Sequence, residues 1–320
     1  MTVMVAQPTS RLLKLRRIAG YGTAAAVMPY MLIKIAWTFG LFLPTQEMGE
    51  ADWRAINATT AVLAAVGVLL ALAFTRPWGE RVPAWLIVLP VWVGTGLLVP
   101  MLVLAPVLGP AAMSRDEQAE ASTDLWVYEQ VFVMISLVGV GIGLPLALAG
   151  YARARWPEAL SGPANCGEPT GSTRSLQRTT ALLMAAGCAA LGLVKLFWAV
   201  GGTFGLDPAA LEHRDMWWHL LSASTGVWAF AGVWGLLVLT SGRGSKRFLP
   251  PMAAAWISSG MLFAYGLYSL LTNLGTKRPA PESEIAHLLA GVTGMALGVI
   301  MGMVILLVLH DRRRALDETA

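Results

Sequence analysis

Two tetrads place a lysine three residues ahead of a tryptophan inside an apolar stretch: Lys34-Ile35-Ala36-Trp37 and Lys195-Leu196-Phe197-Trp198. Residues three apart share one face of a helix, so each ammonium lies beside an indole. An indole face attracts a cation held within about 6 Å of its centroid. Glu129 and His287 are further titratable groups close to or within apolar runs. An ammonium, a carboxylate and an imidazole that meet away from water can bind a polar solute, carry protons or serve as acid and base. Lys34, Trp37, Glu129, Lys195, Trp198 and His287 are therefore the candidate substrate-binding residues.

Other chemistry has less support. The chain contains no Gly-x-Ser-x-Gly elbow, phosphate-binding loop or His-Glu-x-x-His helix, and no catalytic residue is assigned. The four histidines are His213, His219, His287 and His310, and none pairs at helical spacing with a second ligand, so no metal is expected. A haem would need facing axial ligands, and His219 with His287 is the same-depth pair available; no cofactor is expected. Cys188 and Cys166 fall in different kinds of segment and do not form a redox pair. Gly139-x-Gly141-x-Gly143 looks like a dinucleotide fragment but lies inside an apolar run with no preceding strand, so it reads as packing.

The elements that position these residues follow from composition. The 320 residues are 56% apolar and only 13% charged, against about a quarter charged in an ordinary soluble domain. That excludes a soluble enzyme, a disordered chain and a nucleic-acid binder. Eight stretches can cross a hydrocarbon core, which takes about 20 helical residues: 18–41, 55–75, 83–107, 125–151, 179–204, 217–240, 250–273 and 285–309. They are apolar all round, where barrel strands would alternate, so all eight are helices. The first is too long for a secretory h-region and is read as retained. The expected class is an all-α integral membrane protein, whose surrounding partner is the lipid bilayer.

Basic residues fall unevenly on the connecting segments. With the N-terminus inside, sixteen Lys and Arg lie on the inner side and five on the outer side. The positive-inside rule then places both termini in the cytoplasm of a cell-membrane protein. The inner basic charge meets anionic headgroups rather than nucleic acid. On this frame Lys34 lies about 16 residues, roughly 24 Å, from the inner end of its helix, and Lys195 lies at similar depth. Glu129, His219 and His287 fall in the same outer layer. Two readings of the lysines compete: snorkelling to the outer headgroups, or lining an outward-open cavity with Glu129 and His287. Trp53, Trp217 and Trp218 read as an interfacial aromatic belt.

The two tetrads also divide the chain. Residues 1–17 form a basic tail, 18–151 a first four-helix repeat, 152–178 a Pro-, Gly- and Ser-rich linker, 179–310 a second repeat and 311–320 a tail. Thr38-Phe39-Gly40 echoes Thr203-Phe204-Gly205 at a shifted spacing, and Gly139 and Gly143 echo Gly298 and Gly302. An even number of spans per repeat makes the repeats parallel, with a site expected at their interface. Glu129 shares a face with Ser136 and Gly143, and His287 with Gly291, Gly294 and Gly298. Gly294, Gly298 and Gly302 at four-residue spacing form a close-packing face, a candidate route to helix-mediated oligomers.

The segment Lys195-Leu196-Phe197-Trp198-Ala199-Val200-Gly201-Gly202-Thr203 resembles a signature of actinobacterial multi-helix membrane proteins with no established function. The resemblance implies the multi-helix architecture and no activity. Lys34-Ile35-Ala36-Trp37-Thr38-Phe39-Gly40 matches it less well, lacking the Gly pair.

Three functions are weighed on these grounds, in this order. The first is a transporter or channel for a small molecule or ion, with Pro29, Pro90, Pro100 and Pro145 as helix-breaking sites. The second is a non-transporting sensor or accessory subunit. The third is a lipid-processing enzyme using Glu129 or His287.

Overall fold

The computed structural model describes residues 10–43, 49–113, 124–155, 172–241, 247–275 and 282–319. Most of the expected linker, with Cys166, lies outside them. Among the described residues the architecture is all-helical, and its one extended feature is an isolated antiparallel bridge between Leu206 and Glu282. The long helices are α1 (Ser10–Thr38), α2 (Ala51–Thr75), α3 (Ala84–Met113) and α4, which is built from Asp124–Val138, a π-helical turn Gly139–Gly143 and Leu144–Arg155. They continue as α5 (Ser172–Ala199), α6 (Met216–Ser241), α7 (Leu249–Gly275) and α8 (Glu284–Thr319).

Seven of these helices are long and apolar enough to span a bilayer, the composition of a polytopic membrane protein. The other, α7, is 27 residues long and carries Ser258, Ser259, Tyr265 and Ser269, which lower its hydropathy. The reason lies in its surroundings. Met252, Ala255, Ser258, Ser259, Met261, Leu262 and Ala264 are all buried, so α7 meets protein over much of its length and has less need of an apolar coat.

The chain forms two compact units, Val5–Pro90 with Ala105–Trp156, and Met1–Met4, Val91–Leu104 and Pro157–Ala320. In the first, α1 packs against α2 and α4 around Ala24, Val27, Ala64, Val68 and Ala71. The π turn sits where α4 meets α1: Thr23 Oγ1 donates to Gly139 O (2.9 Å), and a Cβ on Gly143 would stand 2.3 Å from Thr23 Oγ1. Its cause is Pro145, which lacks an N–H and crowds the carbonyl four residues before it; the turn widens to i→i−5 bonding there, with Leu144 N–H donating to Gly139 O. The other helix-interior prolines expected as breaks, Pro29, Pro90 and Pro100, lie inside helices that continue through them.

In the second unit α5 packs on α6, α6 on α7, α7 on α8, and α8 returns to α5. The bundle closes on a core of Cys188, Leu191, Leu236, Met261, Leu262, Leu297 and Met301. Gly294 and Gly298 receive α7, whose backbone would stand 3.2 and 2.5 Å from an added Cβ, and Gly302 receives Trp92. This glycine face is therefore filled by the chain's own residues. The middle of α3 joins the same unit through Trp92 Nε1, which donates to Ser259 Oγ (2.8 Å), and through Gly96, whose Cβ would meet Gly260 at 2.1 Å.

Backbone-to-backbone contact at Gly96 leaves no side chain to yield. Gly96→Ala should lower stability by about 1–3 kcal/mol, read as a lower unfolding temperature in detergent. Gly67→Ala, where an added Cβ meets nothing within 4 Å, should be neutral or stabilising by up to about 1 kcal/mol.

Candidate functional site

Each Lys-x-x-Trp tetrad occupies the last turn and a half of a helix, α1 or α5, and the two helix ends are built alike. Beyond α1, Gly40 N–H donates to Trp37 O (3.0 Å) and Leu41 N–H to Ala36 O (2.9 Å), with Gly40 at φ 77°. Beyond α5, Gly201 N–H donates to Trp198 O (3.0 Å) and Gly202 N–H to Phe197 O (2.9 Å), with Gly201 at φ 99°. Both are Schellman caps, which need a residue that accepts left-handed φ. The glycine equivalent to Gly40 is thus Gly201, and the echo of Thr-Phe-Gly that the sequence offers four residues later is not where the backbones correspond.

The caps turn the chain back over the tryptophans. Trp37 Nε1 donates to Phe42 O (3.0 Å) and Trp198 Nε1 to Phe204 O (2.8 Å). Both indoles are buried, at 1% and 3% exposure, and each is fixed under its lysine: Nζ to ring centroid is 4.6 Å for Lys34–Trp37 and for Lys195–Trp198. The following helix braces each cap. Arg54 Nε donates to Thr38 O (2.9 Å), and His219 Nδ1 donates to Ala199 O (3.0 Å). Thr38 and Ala199 each follow the tryptophan directly.

Each ammonium has a carboxylate partner in its own unit. Lys34 Nζ lies 3.0 Å from Glu129 Oε1, with the side chains 12% and 7% exposed, and Tyr30 lies 5.4 Å from the same ammonium. Lys195 Nζ lies 3.4 Å from Glu282 Oε1, with side chains 17% and 9% exposed. Neither lysine is stretched into solvent. Such pairs survive in a low-dielectric interior because each charge compensates the other's lost hydration. Both cations also sit at helix C-termini, where the macrodipole favours positive charge.

Sequence reasoning missed Glu282. It lies just before α8, where helical periodicity gives no information, and it counts there as one more charge of a connecting segment. The backbone holds it in place: the Leu206–Glu282 bridge and Ser283 N–H to Gly205 O (3.2 Å) tie this segment to the loop after α5. Trp218, read as part of an aromatic belt, donates from Nε1 to Glu282 Oε1 (3.2 Å) and stacks near Trp198 with centroids 6.4 Å apart. Trp53 is 40% exposed, and among the described residues it has no hydrogen bond to Glu129.

Beneath the second pair lies a cavity of about 300 Å³ lined by Lys195, Trp218, Ser222, Tyr265, Glu282 and His287 among others. All of its lining residues belong to the second unit. His287 enters from α8, its Nε2 hydrogen-bonded to Ser269 Oγ of α7 (2.7 Å). The floor is apolar, with Leu191 and Leu262 over Cys188, whose Sγ lies 3.3 Å from Met301 Sδ. Of the six sequence candidates, the structure joins Lys34, Trp37 and Glu129 in one unit and Lys195, Trp198 and His287 around one region of the other. Among the described residues no three His, Cys, Asp or Glu converge to hold a metal ion. Ligand pockets start at about this cavity's size and combine apolar walls with a few fixed polar groups.

No protein-family model, curated protein or solved structure matches this chain.

The ion pairs should behave as coupled units. Lys195→Ala or Glu282→Ala alone leaves a buried charge unpaired and should cost about 3–5 kcal/mol. Lys195→Met combined with Glu282→Leu should recover much of that loss, read as unfolding midpoints across a double-mutant cycle.

Proposed function

We propose that this protein is a cell-membrane transporter for a small molecule or ion, with eight spans in two duplicated four-helix units and both termini cytoplasmic. Its binding site is the outward-facing polar cavity of the second unit, capped by Lys195 and Glu282. The observation that carries the reading is the cavity itself: buried ionised groups, an imidazole and hydroxyls gathered at one end of a closed helical bundle. Ionisable groups inside a membrane are costly and mark solute or ion pathways more often than scaffolding.

Duplication is supported by the matched helix ends. The same cap, the same indole under the same ammonium, a carboxylate partner and a brace from the next helix recur after α1 and α5. Chance similarity between apolar helices explains shared Leu, Ala and Gly, but not a matched set of polar contacts. The cytoplasmic placement of the termini is supported by the distribution of Lys and Arg alone. A reporter fused after Ala320 should be active as green fluorescence and inactive as alkaline phosphatase; the reverse would overturn this topology.

One observation favours a second reading, a sensor or accessory subunit that binds without transporting. The cavity floor passes into the apolar packing of Leu191, Cys188, Leu297 and Met301, so polar lining is confined to one end of the bundle. Flux separates the two. In proteoliposomes the wild type should move a solute, and Ala290→Leu or Thr225→Leu, which fill the cavity without stranding a charge, should reduce uptake at least tenfold while staying folded. Saturable binding with no flux of any bound solute would favour the sensor.

A further inference from the structure

Resting on the reading of this cavity as a binding site, we infer that its occupant is a small zwitterion of the α-amino-acid class with an apolar side chain, held by Lys195 and Glu282 together. Both groups line the cavity, and among the described residues no other Lys, Arg, Asp or Glu does, so the lining carries one charge of each sign. α6 and α7 add hydroxyls, rings and apolar groups but no charge, and His287 of α8 is hydrogen-bonded to Ser269.

The ion pair is joined through a single oxygen. Lys195 Nζ lies 3.4 Å from Glu282 Oε1, and Trp218 Nε1 donates to that same oxygen. An ammonium carries three N–H donors, and a carboxylate has a second acceptor oxygen. Among the described residues Glu282 Oε2 has no hydrogen-bond partner. Nor is it one of the unpaired atoms shielded from water, which belong to Asn57, Ser258 and Tyr265. An ammonium and a carboxylate thus stand side by side at the cavity wall, each with bonding capacity left over.

The pairing of signs selects the ligand. A lone anion bonded to the ammonium would lie against the carboxylate, and a lone cation bonded to the carboxylate would lie against the ammonium. A molecule with both charges meets both groups, leaves the Lys195–Glu282 contact in place and makes the four charges alternate. In an α-amino acid the two charges are joined through one carbon, which sets them as close together as the protein's own pair. The remaining walls select the side chain: Leu191, Leu221, Leu262 and Ala290 are aliphatic or small. An apolar group gains by leaving water there, whereas a strongly polar one loses hydration without replacement. A volume of about 300 Å³ is at the small end for ligand pockets, which suits a free amino acid rather than a peptide.

The test is calorimetric titration of the full-length protein in nanodiscs, with empty nanodiscs subtracted. Three probes share one apolar tail: leucine, isocaproate, which lacks the ammonium, and isoamylamine, which lacks the carboxylate. Leucine should bind saturably, and each truncated probe at least about tenfold more weakly, the effect of losing one charge-assisted hydrogen bond. Lys195→Met combined with Glu282→Leu removes both holding groups without stranding a charge. It should weaken leucine at least about tenfold and erase its preference over the other two. A truncated probe that binds the wild type as tightly as leucine, or a preference for leucine that survives in the double variant, would overturn the inference. Tight binding of a truncated probe that is lost in Thr225→Leu would leave the cavity a binding site and sink the zwitterion class alone. Binding by none of the three at millimolar concentration, or leucine binding unchanged in Thr225→Leu, would take the binding-site reading down with it.

Discussion

A buried ammonium governs the rest of the molecule's design. Lysine inside an apolar bundle is tolerable only if water's contribution is replaced from several directions. Here it is replaced by a carboxylate, an indole face and the negative end of a helix. Those groups must in turn be held. The Schellman caps bring Phe42 and Phe204 carbonyls over the indoles, and Arg54 and His219 tie down the last carbonyls of the helices. Much of the structure at this end of each unit serves to keep one positive charge in company.

The two units differ in what surrounds that charge. Glu129 reaches Lys34 from a helix, within the packing of α4 on α1. Glu282 reaches Lys195 from a connecting segment, and an indole N–H shares its carboxylate. A carboxylate on a helix is fixed by the packing of two rigid elements. One on a short extended segment is fixed by a few backbone bonds, which leaves space beneath it. The cavity lies under the second kind. Equivalent chemistry thus rests on a helix in one unit and on a connecting segment above a lined cavity in the other.

How much of this could be read in advance depends on where a residue lies. The sequence put Glu129 only in the same outer layer as the two lysines. Helix count and the pairing of each lysine with its tryptophan followed from length and helical period, because both partners sit on one regular element. Glu282 and the role of Trp218 did not, since a connecting segment carries no period and an indole near a helix end has a bland alternative. Length alone reads α7 as one more span, yet Ser258, Ser259, Tyr265, Tyr268 and Ser269 leave it less apolar than the seven helices that are long and apolar enough to cross a bilayer.

The widened turn at Gly139–Gly143 sets the phase of α4. One extra residue is wound into that turn, so the half bearing Glu129 and the half bearing Tyr151 and Arg155 are out of step by a single position. Each half faces its own neighbour only because of that offset: Glu129 reaches Lys34, while Tyr151 Oη donates to Gly79 O at the far end (2.9 Å). Shortening the glycine run by one would let the helix rewind, swinging one half about 100° relative to the other, so that the two ends could no longer both keep their appointments. The spacer works like a splined coupling, and its length in residues is as much part of the charged site as the carboxylate it aims.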